Sequence, residues 1–149
     1  FVIRDSHFDL YYLYSSTMMI YSYLRGDLRK EALNYTYSQN NYKKEVTKQV
    51  DTWLDAVRNL RNYCAHHSMV VGMTSSVVIP DNRDSADVLP DNTNLYSRLY
   101  ALKKILPQKD ADMLARELEK LISKTKIDIY KMNVLPANWK ELYDKILFL

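Results

Sequence analysis

Among the 149 residues there is a single cysteine, Cys64. That excludes an intramolecular disulfide and any cysteine-based zinc ribbon, and it suits a reducing cytoplasm. Glycine is almost as scarce, with only Gly26 and Gly72. Neither belongs to a G-x-G-x-x-G or G-x-x-x-x-G-K pattern, so the close backbone approach to phosphate that dinucleotide and P-loop sites require is not provided for. No apolar run approaches the roughly 18 residues that span a bilayer, and no signal-peptide pattern opens the chain. The expectation is a cytoplasmic protein with no membrane partner. The chain begins Phe1-Val2-Ile3 without a methionine, so an N-terminal part of the full-length protein is expected to be missing. A net charge of +3 and a pI near 8.8 permit a polyanionic partner but do not point to one.

With 47% hydrophobic and 26% charged residues, the composition is that of a soluble globular chain. Its length is enough to bury a core as one domain over 1–149. The pattern reads as all-α. An apolar, tyrosine-rich helix is expected over 8–24, ending near Gly26, and Asp27 suits the cap of a short helix over 28–36. Ser38-Gln39-Asn40-Asn41 then reads as a turn. From Tyr42 to about His66, apolar residues at Val46, Val50, Trp53, Leu54, Val57, Leu60 and Cys64 mark one stripe of a long amphipathic helix, a candidate spine for a bundle.

Residues 71–94 read as a long loop. Val77-Val78-Ile79 is its only strand-like run, set among Pro80, Asp81, Asn82, Asp84, Pro90, Asp91 and Asn92. Helices resume over about 94–106, with Leu95, Leu99, Leu102, Ile105 and Leu106 as the apolar set. Another is expected over 109–124, with Met113, Leu114, Leu118, Leu121 and Ile122. Pro136 suits the first turn of a last helix carrying Trp139, Leu142 and Ile146.

The chemistry concentrates at the end of the long helix. Arg58-Asn59-Leu60-Arg61-Asn62-Tyr63-Cys64-Ala65-His66-His67 gathers two arginines, two amides and two of the three histidines. Histidine exchanges protons near neutral pH, and arginine offers a fork that matches phosphate oxygens. RNA brings its own nucleophile, the 2′-hydroxyl beside each phosphodiester. A base, an acid and a cation therefore suffice for strand cleavage without a metal or cofactor. Arg61 and His66 are five residues apart, which in an unbroken helix is roughly 140° around the axis. Either the helix loosens at His66, or two copies pool their residues across a symmetric dimer; the dimer is favoured.

Arg61-Asn62-x-x-x-His66 resembles the R-x4-6-H signature of the HEPN superfamily. The surrounding Val57 to Ser68 block resembles the "RN-x-C-A-H-H" block of its Abi-like (abortive infection) proteins. Residues 1–17 resemble that family's segment before its long helix, Asn94-Leu95-Tyr96-Ser97-Arg98-Leu99 its "n-x-x-Y-x-x-L" helix, and Leu135-Pro136-Ala137-Asn138-Trp139 its closing "fP-x-n-W". The resemblance implies a HEPN-like helical bundle, usually dimeric, with metal-independent endoribonuclease activity in phage defence or as the toxin of a toxin–antitoxin pair. Some relatives are restrained by an antitoxin, either a protein or a small RNA. Carried over, His66 is the general acid/base, Arg61 the phosphate-binding and charge-stabilising group, and Asn62 a positioning group, with His67 in support. The family's basic residue after the histidines is absent, since Ser68-Met69-Val70-Val71-Gly72 follows.

Blander readings compete at each position. His66 could serve only as a cation at a helix C-terminus, and Arg61 could form a salt bridge with Asp51, Asp55 or a partner chain. Arg58 reads as a surface or ion-pair arginine, Cys64 as a small core hydrophobe, and His7 as incidental. Most of the thirteen tyrosines read as packing rather than base-stacking groups, and Lys43, Lys44 and Lys48 as a solvated helix face. The alternative function is a non-catalytic HEPN-like module binding RNA or protein, such as one half of a two-component system with a nucleotidyltransferase.

Overall fold

The computed structural model describes residues 23–37, 44–69, 71–73 and 78–148. These residues are all-α, with five helices and no strand: α1 (Gly26–Tyr37), α2 (Lys44–Ala65), α3 (Leu95–Ile105), α4 (Gln108–Lys124) and α5 (Trp139–Lys145). Most of the helix expected over 8–24, the turn at 38–41, His7, Tyr42, Lys43 and Val77 lie outside the described residues, as do the side chains of Lys44 and Val46. The chain divides into two compact units, Phe1–Asp51 and Thr52–Leu149, and the division falls inside α2.

In the first unit α1 begins at Gly26, and Asp27 lies in its first turn, where the helix dipole favours a carboxylate. Arg29 donates to the Leu24 carbonyl at 2.9 Å and to Asp51 Oδ2 at 2.7 Å. Burial draws the Asp51 carboxyl above its ordinary range, against the opposing pull of Arg29.

In the second unit the most enclosed element is α3, not the longer α2. From Tyr96 through Ala101 every side chain is buried, and so are Lys103 and Lys104. This departs from the apolar stripe expected there: Leu99 is buried, but Leu95, Leu102, Ile105 and Leu106 are only half-buried. Lysine can occupy an interior position because its stem is hydrocarbon and only its tip needs partners. Lys103 Nζ donates to the Tyr143 carbonyl at 2.6 Å and Lys104 Nζ to the Leu147 carbonyl at 2.7 Å, which ties the last helix and its exit to α3. Asn94 caps α3, its side chain accepting from the Ser97 amide at 3.3 Å.

Helix α3 packs against α4 and α5. On α4 the buried positions are Ala111 and Ala115, whose small side chains let the two helices approach closely, whereas Met113 and Leu121 of the expected apolar set are exposed. Pro136 stands just before α5, its carbonyl accepting from the Trp139 amide at 3.0 Å, and Leu135 and Trp139 are both buried.

Residues 78–94 form no strand; they run as successive turns. Val78 is buried, and the Ile79 carbonyl accepts from Trp53 Nε1 at 2.7 Å. Asp81 and Asp91 close Asx turns onto the amides of Arg83 and Thr93, at 3.0 and 2.8 Å. The loop is pinned from within. Lys104 Nζ lies 3.2 Å from Asp81 Oδ2 and 3.0 Å from Asp84 Oδ2, with both the Lys104 and Asp84 side chains fully enclosed. Tyr100 donates to Asp84 and accepts from the Asp81 amide. Burial pulls the Asp81 carboxyl upward, but hydrogen bonds from the Arg83 side chain and amide and the charge of Lys104 outweigh it and hold the carboxyl at about 2.

Candidate active site

Helix α2 is about 33 Å long at 1.5 Å per residue. Val50, Trp53, Ala56 and Val57 are buried along it, while Leu54 and Leu60 are half-buried. Its last turn runs past the core. Cys64, Ala65, His66, His67, Ser68 and Met69 are all exposed, which corrects the expectation that Cys64 packs as a core hydrophobe. The apolar periodicity continues to Cys64, but among the described residues no second element covers the stripe at this height.

The helix ends in a defined way. The Ser68 amide donates to the Tyr63 carbonyl at 2.9 Å and the His67 amide to the Cys64 carbonyl at 3.2 Å. These are the paired bonds of a Schellman motif. The residue in its left-handed position is His67, at φ 50°, where glycine is the usual occupant because it has no Cβ to strain. His66 precedes the reversal. Its amide still donates to the Asn62 carbonyl at 3.0 Å, so the helical register continues through His66 and the backbone departs from it one residue later.

Arg61 is half-buried, its Nε shut away from solvent, and its Nη1 donates to Asn62 Oδ1 at 2.6 Å. Of the acidic groups considered for it, Asp51 pairs with Arg29, and Asp55 pairs with Arg58 at the surface. The structure thus joins Arg61 to Asn62 and sets Asn62 one turn before His66. It places His67 at the turn itself. An accessible imidazole at a helix end and, one turn earlier, an arginine fork held by an amide are groups suited to a phosphodiester.

One neighbour was not singled out by the sequence. Arg98 of α3 is fully buried; its Nη1 donates to the Asn92 carbonyl at 3.1 Å and to Ser97 Oγ at 2.6 Å, and its Nη2 to Asn59 Oδ1 at 3.3 Å. Desolvation lowers the Arg98 pKa, while Tyr63, Asp91 and Asp55 favour its charged form. The available signal was an arginine in the middle of Leu95-Tyr96-Ser97-Arg98-Leu99-Tyr100-Ala101, a run with no other charge. Among the described residues no group of three His, Cys, Asp or Glu side chains is placed to hold a metal ion, and no helix is long and apolar enough to cross a membrane.

Neither a curated protein nor a solved structure matches the chain. The landmarks at Asn94–Leu99 and Leu135–Trp139 fall outside the family match. That match is to Abi-like proteins and runs over residues 11–71, taking in α1, α2 and the whole segment from Arg58 to Met69.

Proposed function

We propose that the chain is a metal-independent endoribonuclease of the HEPN type, acting as a toxin in abortive infection or in a toxin–antitoxin system. The Abi-like match supports a function related to abortive infection. The observation that carries the finer reading is the end of α2, where Arg61 is bonded to Asn62 and an exposed His66 follows one turn later.

In this reading Arg61 grips a non-bridging phosphate oxygen and offsets the charge that develops on the phosphoryl group. Asn62 holds the guanidinium in place. A histidine takes the proton from the 2′-hydroxyl, whose oxygen attacks phosphorus; the 5′-oxygen leaves and takes a proton from a second acid. The products are a 2′,3′-cyclic phosphate and a 5′-hydroxyl. Because the helical register persists through His66, Arg61 and His66 of one chain point roughly 140° apart. Two copies whose α2 ends face each other would supply one base and one acid, with His67 in support. The protein is then a cytoplasmic homodimer acting on RNA, restrained by an antitoxin.

The test is cleavage of total cellular RNA by the purified protein in excess EDTA, beside Arg61→Ala and His66→Ala. Wild-type cleavage that falls by roughly 10²–10⁴ in each variant is expected. Variants that cleave like the wild type would remove these residues from the site. Salt-dependent RNA binding with no new ends would support instead the non-catalytic binding module, the reading favoured by the absence of a basic residue after Ser68.

A further inference from the structure

We propose that Arg98 is a positioning residue of this site: through its bond to Asn59 it fixes the rotation of α2, and with it the placement of Asn62 and His66. The inference rests on the ribonuclease reading above. Asn59, Asn62 and His66 are spaced i, i+3 and i+7, so they share one face of α2. The bond from Arg98 Nη2 to Asn59 Oδ1, 3.3 Å, is made on that face.

A buried arginine is a costly way to obtain packing alone, since an apolar side chain of similar volume fills the same space without desolvating a charge. What the guanidinium adds is direction. Its fork is planar, and Nη1 is already anchored by the Asn92 carbonyl and Ser97 Oγ, so the bond from Nη2 can lie along only one line. Tyr63, beside Asn59 on α2, also favours the charged form of Arg98.

Small rotations matter here. Side-chain tips lie roughly 6 Å from a helix axis, so a turn of about 10° displaces them by about 1 Å. A misplacement of that size can cost on the order of 10² in rate. Arg98 touches neither substrate nor reacting atom in this arrangement; it acts through Asn59.

The experiment compares steady-state RNA cleavage by wild type, Arg98→Lys, Asn59→Ala, Asn59→Asp and the Arg98→Lys/Asn59→Ala double variant. Lysine keeps the charge, but its three donors radiate from one nitrogen and cannot reach acceptors spread across a guanidinium fork. Expected are a fall in kcat of roughly tenfold or more in Arg98→Lys and Asn59→Ala with KM within about twofold, and a double variant no slower than the worse single one. Asn59→Asp, which retains an acceptor for Arg98, restores kcat. A wild-type kcat in Asn59→Ala would overturn the proposal. If the wild type cleaves no RNA, the ribonuclease reading fails on its own, and the positioning is read from hydrogen exchange. Exchange at the His66 and Ser68 amides should then quicken roughly fivefold in Asn59→Ala, the fold-change of one net hydrogen bond; unchanged exchange there would overturn it.

Discussion

Replacing Lys104 by methionine keeps the length and most of the volume of the side chain while deleting its charge. In the wild type the ammonium faces Asp84 at 3.0 Å, Asp81 at 3.2 Å and the Leu147 carbonyl at 2.7 Å, and lies over the rings of Trp53 and Tyr100 at 5.7 and 5.5 Å. Removing one partner of a buried ion pair typically costs about 3–5 kcal/mol, because the other charge is left uncompensated. Here Asp81 keeps Arg83, and Asp84 keeps the Tyr100 hydroxyl and the Leu147 amide. The cost therefore belongs at the low end, about 3 kcal/mol. For a chain of this size that corresponds to a melting temperature lower by roughly 6–12 °C. The assay is thermal unfolding at neutral pH followed by circular dichroism. Adding Asp84→Asn to Lys104→Met removes the orphaned charge and should recover part of the loss. A single variant that melts within about 2 °C of the wild type would refute the claim that Lys104 secures the 78–94 loop and the C-terminal exit.

The same network predicts an acid-sensitive contribution. Asp81 ionises at about 2 in the fold against 3.8 ordinarily, so its contribution is fully present above the unfolded value and is lost as pH falls through the folded one. Urea titrations should show roughly 2 kcal/mol of stability disappearing between about pH 4 and 2, and Asp81→Asn should flatten that slope. At the end of α2, His67→Gly relieves a left-handed backbone carrying a side chain. It should stabilise by about 1 kcal/mol, raising the melting temperature by roughly 2–4 °C, and an unchanged melting temperature would argue against that conformation.

Much of the helix pattern was legible because period-3.6 apolar spacing and capping chemistry are local. Helices expected over 94–106 and 109–124 span Leu95–Ile105 and Gln108–Lys124, with Asn94 as cap. The segment proposed to carry the chemistry could be picked out too, because arginine, amide and histidine in close succession are visible without a fold. What a residue faces was less legible. Leu102 and Lys103 are neighbours in an amphipathic pattern that puts leucine inside, yet lysine is the buried one. The Tyr143 carbonyl that rewards its burial lies forty residues away in sequence.

By itself the sequence determined an all-α chain, the extent of most of its described helices, and one short segment in which Arg61, Asn62, His66 and His67 could do phosphodiester chemistry. Tertiary structure decided that Cys64 is exposed, that His67 rather than His66 turns the chain, and that Arg98 and Lys104 are interior cations. Periodicity reports only which face of a helix is apolar. Burial depends on where the neighbouring elements stop, and a charge can be enclosed only where distant carbonyls and carboxylates converge on it.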